Sequence, residues 1–258
     1  MEEKDDEAKG TRLVVAEPKL LKESISILSG LVNEGRFRIN PDGIELVAMD
    51  SANVAMVTFR MNASAFAEYA VPGPVVVVLR LHDLKEVFRR VGANDIVEIE
   101  IDSMNRFRIT LKGSSTRSFY LPIMDSDEKD QKLPELKFGV TVTTKPEIFT
   151  EAINDVNVVA EAVSFVTEKA GLRVEAEGDV SKAKIEIQAN LATQIEGDLQ
   201  KPVAAKYSIE YLKKMIPAGK LSEQVRIQYS KDYPLRLEYA AEEKLQLSFI
   251  LAPRVEND

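Results

Sequence analysis

The side chains best placed to do chemistry in this sequence are cations grouped on short amphipathic stretches. Arg80, Lys85, Arg89 and Arg90 lie on or beside one stretch; Lys206, Lys213 and Lys214 lie on another with Lys220 just beyond; Lys19 and Lys22 open a third. Lysines and arginines on one face of a helix can neutralise phosphates without reading base sequence. They can equally form an ordinary solvated face. Covalent chemistry has much less to work with. There is no cysteine and a single histidine, His82, which removes disulfides, thiolate metal sites and most histidine-based catalysis. His82 has no serine in a G-x-S-x-G elbow to act on and reads as a helix-entry residue, and no phosphate loop occurs. Asp50 sits in a turn, where a carboxylate is favoured for its local hydrogen bonds. The acidic run Asp125, Asp127, Glu128 and Asp130 lacks the central glycine and closing glutamate of a calcium loop and reads as a solvated linker. No enzyme, metal or other cofactor is expected.

The chain has 258 residues, 45% hydrophobic and 29% charged, which describes one large folded domain or two ordinary ones. Its longest apolar run, Val75 to Leu79, is strand length, so no membrane partner is expected. Met1 to Gly10 is mostly charged, lacks the apolar core of a secretory signal and reads as a disordered tail. A cysteine-free chain suits the cytosol. The net charge of −8 and pI near 5.0 argue against a nucleic-acid binder, unless cations and anions are segregated. Their positions allow that: Glu98, Glu100, Asp102, Glu175, Glu177, Glu186, Glu242 and Glu243 fall in strands and loops.

Several elements would have to position the cations. Thr11 to Ala16 is strand-like, and after Pro18 the residues Leu20, Leu21, Ile25, Leu28, Leu31 and Val32 recur at helical spacing. Arg36 to Arg60 then alternates with period two around turns at Pro41-Gly43 and Asp50-Asn53, a three-strand antiparallel meander. Val75 to Leu79 is a buried strand, His82 to Val91 a helix ending at Gly92, and Ile96–Ile101, Arg106–Leu111 and Arg117–Leu121 are strands. Met124 to Lys132 is acidic and poor in apolar residues, an interdomain crossing. Beyond it the pattern restarts: helix Glu147 to Val159, strands Val163–Val166, Leu172–Ala176 and Ala183–Ile187, helix Tyr207 to Ile216, then strands Val225–Tyr229, Leu235–Tyr239 and Leu245–Ile250. Gly43-Ile44-Glu45-Leu46 matches Gly171-Leu172-Arg173-Val174 at an offset of about 128 residues, and Ser118-Phe119-Tyr120-Leu121 matches Ser248-Phe249-Ile250-Leu251 at nearly the same offset. This is an internal duplication. The expected fold is α+β: two topologically similar domains of antiparallel sheet with two helices each, over residues 11–123 and 137–258, joined by a connecting loop over 124–136 and preceded by the tail 1–10.

Leu31-Val32-Asn33-Glu34, Asp42-Gly43-Ile44 and Met49-Asp50-Ser51 with Val54 following closely resemble the first domain of PCNA-type sliding clamps, and Leu251-Ala252-Pro253-Arg254-Val255 resembles that family's C-terminal tail. The resemblance covers about Thr11 to Val255 and implies the DNA-clamp fold. It implies a ring of this chain with two further clamp subunits, alike or different, with helices lining a hole through which double-stranded DNA passes. Lys19, Lys22, Lys85, Arg89, Arg90, Lys213, Lys214 and Lys220 would contact DNA. Met49, Ser51, Asn53, Val54, Met56, Leu133, Pro134, Pro234, Ile250, Leu251, Ala252, Pro253 and Arg254 would receive partner peptides. Those partners would be a clamp loader, and DNA polymerase, flap endonuclease and DNA ligase carrying a glutamine–aliphatic–double-aromatic motif. Location would be the cytoplasm around the nucleoid in an archaeon, or the nucleus in a eukaryote.

Ser115, Arg117, Phe119 and Leu121, with Val180, Ala183, Ile185 and Ile187, lie in strands at corresponding ends of the two domains, where unpaired edges invite pairing between subunits. One departure from the family stands out. The third helix has Glu151 and Asn154 where basic residues are common. That leaves a second function open, an accessory subunit of a mixed ring that mainly recruits partners and touches DNA weakly.

Overall fold

The computed structural model describes residues 10–101, 106–125 and 131–254. The reading of a disordered tail, the linker residues 126–130, Asp102 and Val255 lie outside the described residues. Along the first half run β1 (Thr11–Val15), α1 (Lys19–Leu31), β2 (Glu34–Asn40), β3 (Gly43–Met49), β4 (Ala55–Asn62), β5 (Glu68–Ala70), β6 (Val75–Arg80), α2 (Leu81–Arg89), β7 (Ile96–Ile101), β8 (Phe107–Lys112) and β9 (Thr116–Leu121). The second half runs β10 (Val140–Thr144), α3 (Pro146–Val156), β11 (Ala162–Glu168), β12 (Gly171–Glu177), β13 (Lys182–Gln188), β14 (Gln194–Gly197), β15 (Val203–Ser208), α4 (Ile209–Met215), β16 (Val225–Tyr229), β17 (Leu235–Ala241) and β18 (Leu245–Leu251), with a 3-10 turn at Ile216–Leu221 after α4.

The two halves repeat one topology. Sheet order β5-β1-β7-β8-β9 in the first is matched by β14-β10-β16-β17-β18 in the second, and β6-β2-β3-β4 by β15-β11-β12-β13. The helices follow, α1 matching α3 and α2 matching α4. Even a sterically demanding glycine recurs. A Cβ on Gly43 would meet the Met61 carbonyl oxygen at 2.3 Å, and one on Gly171 the Ile187 oxygen at 2.3 Å. Gly43 also has φ +155°, which side chains avoid. Gly43→Ala should therefore cost about 2 kcal/mol of stability, measured as a lowered denaturant midpoint. An unchanged midpoint would mean that β3 and β4 separate there at no cost.

The halves are joined by a strand pair. β18 lies antiparallel to β4, from Leu245 opposite Met61 to Leu251 opposite Ala55, which fuses parts of both domains into one nine-stranded sheet. On the core face of that junction sit Leu245, Leu247, Phe249 and Leu251 against Ala55, Val57, Phe59 and Met61, all buried. Burial of side chains of this size stabilises by about 2 kcal/mol each. The helices pack on each other in the same direction, α1 against α2, α1 against α4 and its following turn, and α3 against α4. Helix α1 forms because Leu21, Ser24, Ile25, Leu28 and Leu31 fall on one buried stripe. It stops at Val32, whose backbone is extended.

Several expectations need correction. The strand expected from Val180 begins at Lys182, and Val180 is a fully exposed loop residue, because the turn closes between Gly178 N and Ser181 O at 2.9 Å. Helix α3 ends at Val156, not Val159, leaving Val158 exposed. Tyr207 lies within β15 rather than starting a helix, and its ring is buried against Phe165 and Tyr229 at 5.4 and 6.3 Å between centroids. β5, β10, β14 and β15 had not been expected at all.

Candidate nucleic-acid and partner surfaces

Three groups of residues converge on surfaces that could do something. The first is built around the turn between β3 and β4. Asp50 is nearly buried, and its carboxylate accepts the backbone N–H groups of Ala52 (3.2 Å), Val54 and Ala55 (both 2.7 Å). Tyr211 of α4 adds its hydroxyl at 2.7 Å. Burial raises the Asp50 carboxyl, but the Ala55 N–H, the Tyr211 hydroxyl and the remaining donors outweigh it and hold the group below the usual aspartate range. The hydrogen bond to Asp50, with burial and the carboxylate's charge behind it, in turn pushes the Tyr211 phenol up to about 12. The chain can close this turn because Asn53 takes φ +57°, the left-handed region asparagine tolerates. The turn is pinned from its other side too, where Ala252 N donates to Val54 O at 2.9 Å.

Beside the turn, the outer face of the nine-stranded sheet carries a lateral row. Met49 lies opposite Met56, Met56 opposite Ile250, and Ile250 opposite Arg236. Met56 is buried yet stands apart from the main core, and Met49 and Ile250 are half-buried. Just past the connecting loop, Phe138 reaches this row: Arg236 lies 5.0 Å over its ring, and Phe138 meets Tyr233 edge-on at 6.2 Å. Val54, Pro234, Ala252 and Pro253 are half-buried around it, while Ser51, Asn53, Pro134 and Arg254 are exposed. Leu133 is 51% exposed. Leu251 does not belong here, because strand alternation turns it into the core, where it is 1% exposed. A cavity of about 440 Å³ touches Met49, Ser51 and Asn53 together with Gln131 of the loop, but it runs between β2 and β3 and away from Ile250 and Pro253.

The second group is the helix cations. Lys19, Arg90, Lys213 and Lys220 are exposed and Lys85 half-buried. Others have structural engagements that sequence could not show. Lys22 donates from Nζ to Val91 O at 2.9 Å, tying α1 to the end of α2. Arg89 pairs with Glu86 at 2.9 Å, and Lys214 pairs with Glu210 at 3.0 Å and lies 5.0 Å over the Tyr211 ring. The polar face of α3 exposes Glu147, Glu151, Asn154 and Asp155.

The third group is two unpaired edges. β9 ends one five-stranded sheet and β13 ends the four-stranded one. Their hairpin bonds fix which backbone groups face outward. Ala189 N donates to Ala170 O at 2.9 Å, so by antiparallel alternation Ala183, Ile185 and Ile187 bond back to β12 while Lys182, Lys184 and Glu186 point outward. In the same way Gly113 N donates to Ser115 O, so Arg117, Phe119 and Leu121 bond back to β8 and Thr116, Ser118 and Tyr120 point outward. Arg117 is also held by Asp95 and by Arg90 O, the latter at 3.1 Å.

Two like domains, one sheet shared between them, and helices packed on one another define a clamp-type protein. Family models for the N-terminal and C-terminal domains of proliferating cell nuclear antigen match residues 11–128 and 132–254, and the chain belongs to that family. Among its relatives, the DNA polymerase sliding clamp of Nanoarchaeum equitans is 32% identical over 94% of this chain and 99% of that protein. Those of Pyrococcus furiosus and Thermococcus kodakarensis, the latter named DNA polymerase sliding clamp 1, are each 28% identical over 92% of this chain and 96% of theirs.

The residue sequence reasoning missed is Tyr211. Asp50 announced a turn, but a tyrosine so far along the chain carries no signal that it will meet that turn. Arg236 and Phe138 were missed for the same reason.

Proposed function

We propose that the chain works as a processivity clamp: with two further subunits it closes a ring around duplex DNA, and its outer face holds replication enzymes by their peptide motifs. One observation carries the reading. β18 and β4 are paired within the chain, whereas their counterparts by duplication, β9 and β13, are both unpaired edges. Joining β9 of one subunit to β13 of the next repeats the internal junction. The internal register carries over to Ser115 opposite Ile187, Arg117 opposite Ile185 and Phe119 opposite Ala183 on the core side. Its outward residues become Thr116 opposite Glu186, Ser118 opposite Lys184 and Tyr120 opposite Lys182. Such a head-to-tail contact propagates until it closes.

The same rule places α3 of one subunit against α2 of its neighbour, as α1 lies against α4 internally. Glu147, Glu151 and Asp155 would then meet Lys85, Arg89 and Arg90. This gives the acidic helix a role in a ring of like subunits, so an acidic α3 does not call for a more basic companion chain. The helix layer would face the DNA with Lys19, Lys213 and Lys220 least committed elsewhere. Affinity from such contacts is sequence-independent and permits sliding, and retention comes from the closed ring.

The test of the reading is mass in solution and particle shape, followed by retention on circular against linear duplex. A ring stays on the circle and runs off the line. Replacement of Lys19, Lys213 and Lys220 by alanine should leave the ring intact and weaken DNA binding equally across sequences. Its salt dependence should flatten by about 0.9 in log–log slope for each phosphate no longer neutralised. An unchanged slope would mean these helices do not face DNA. Client capture belongs to the Met49–Met56–Ile250 row and the loop beside it, where flexible methionines suit a surface that takes several partners.

A further inference from the structure

The client surface proposed above is framed by a turn whose shape is not set by its own residues. Ser51 and Asn53 are exposed at its tip and Val54 begins its return. All three hang on Asp50, whose side chain caps the N–H groups of Ala52, Val54 and Ala55. Asp50 itself is oriented by one group from the other half of the chain. The Tyr211 hydroxyl bonds to Oδ2, the same oxygen that accepts Ala52 N, leaving Oδ1 to take Val54 and Ala55. The C-terminal segment closes the other flank through Ala252 N to Val54 O. Tyr211 is otherwise a helix residue with little else to hold its hydroxyl, and its ring lies beneath the Lys214 ammonium at 5.0 Å.

We infer that Tyr211 is a positioning residue for partner peptides: through Asp50 it fixes the turn Ser51–Val54 in the shape that a client meets. This rests on the client-binding reading. A nearly buried carboxylate has a strict count of lone pairs to satisfy, and two donors on each oxygen leave the side chain one orientation. Loss of the tyrosine donor frees Oδ2 to rotate toward solvent, and the Ala52 N–H loses its acceptor. The turn then samples shapes the client must select against, and affinity falls by the fraction of competent turn. Tyr211 thus couples two parts of the protein that face different partners, since α4 also carries Lys213 and Lys214 on the helix layer.

The experiment is calorimetry of the assembled protein with a synthetic peptide carrying the glutamine–aliphatic–double-aromatic motif. Tyr211→Phe keeps the ring and removes one oxygen. Its Kd should rise about tenfold, as expected for loss of a charge-assisted hydrogen bond, with only a small fall in the thermal midpoint and salt-dependent DNA binding unchanged. In an Asp50→Ala background, Tyr211→Phe should add almost nothing, because the path between them is already cut. Equal affinity of Tyr211→Phe and wild type overturns the inference, as do losses that add independently in the double variant, or a loss that merely tracks a lowered melting point. Failure of the wild-type protein to bind the peptide is a separate result and overturns the client reading itself.

Discussion

Lys184→Pro is expected to leave the chain monomeric while its own fold persists. Lys184 points its backbone N–H out of the sheet edge, as the alternation set by the Ala189–Ala170 bond requires. Proline there removes no bond to β12, and edge strands tolerate it when the missing donor faces outward. In a ring, however, Lys184 lies opposite Ser118 of the neighbouring subunit, where the pyrrolidine ring would sit against a carbonyl that expects a donor. The corresponding internal pair, Thr58 opposite Ser248, shows the geometry that proline would prevent. Ile185 is the wrong place for this test, because its N–H bonds inward and proline would damage the domain as well as the interface. Light scattering should report a monomer at micromolar concentration, with near-native circular dichroism and melting. A trimer that survives the substitution would remove β13 from the interface. A charge exchange offers an independent check: Glu151→Lys with Asp155→Lys should weaken the ring, and Arg89→Glu with Arg90→Glu in the same chain should restore it.

How far the sequence could reach is visible in particular elements. The meander from Arg36 to Arg60 was legible because its alternation is strong and its turns carry Pro41, Gly43 and Asp50, residues with few other uses. β10 was missed because Val140-Thr-Val-Thr-Thr follows a linker without a turn signal. β14 and β15 were missed because Gln194–Gly197 is short and Val203–Ser208 contains alanine and lysine at strand positions. Helix ends were misplaced where apolar residues continue past the last turn, as Val158 does past α3. Among candidate site residues, Met49, Met56 and Ile250 came from the family resemblance, and period two would have excluded Leu251, had its alternation with Ile250 been weighed. The joint between β4 and β18 was out of reach. Nothing local in either strand states that its partner lies in the other domain, and the Asp50–Tyr211 bond depends on that joint.

Leu133→Asp is expected to abolish capture of the proposed partner peptides while leaving the proposed ring and its DNA contact undisturbed. Leu133 is an aliphatic side chain 51% exposed on a loop segment with no regular structure, and it is followed by Pro134, which restricts its backbone to extended shapes. An exposed leucine held this way costs little to keep and gains when something covers it. The loop is fixed a few residues on, where Phe138 rests beside Arg236 and Tyr233, so Leu133 cannot wander far from the sheet row. That row ends in Met49, Met56 and Ile250, an apolar floor open to the outside, with Pro234 and Pro253 half-buried near its margin. Aromatic anchors of a client would be buried between loop and floor, and residues of that kind carry about 2 kcal/mol or more each. A carboxylate at position 133 would have to be desolvated against them, so affinity should fall by about a hundredfold or more. Because the leucine contributes little to the core, the melting point and assembly state should not change. Calorimetry with the motif peptide decides the matter: equal binding by both proteins would place the client elsewhere on the outer face. The cavity between β2 and β3, reached from Met49 through Gln131, would then be the next surface to probe.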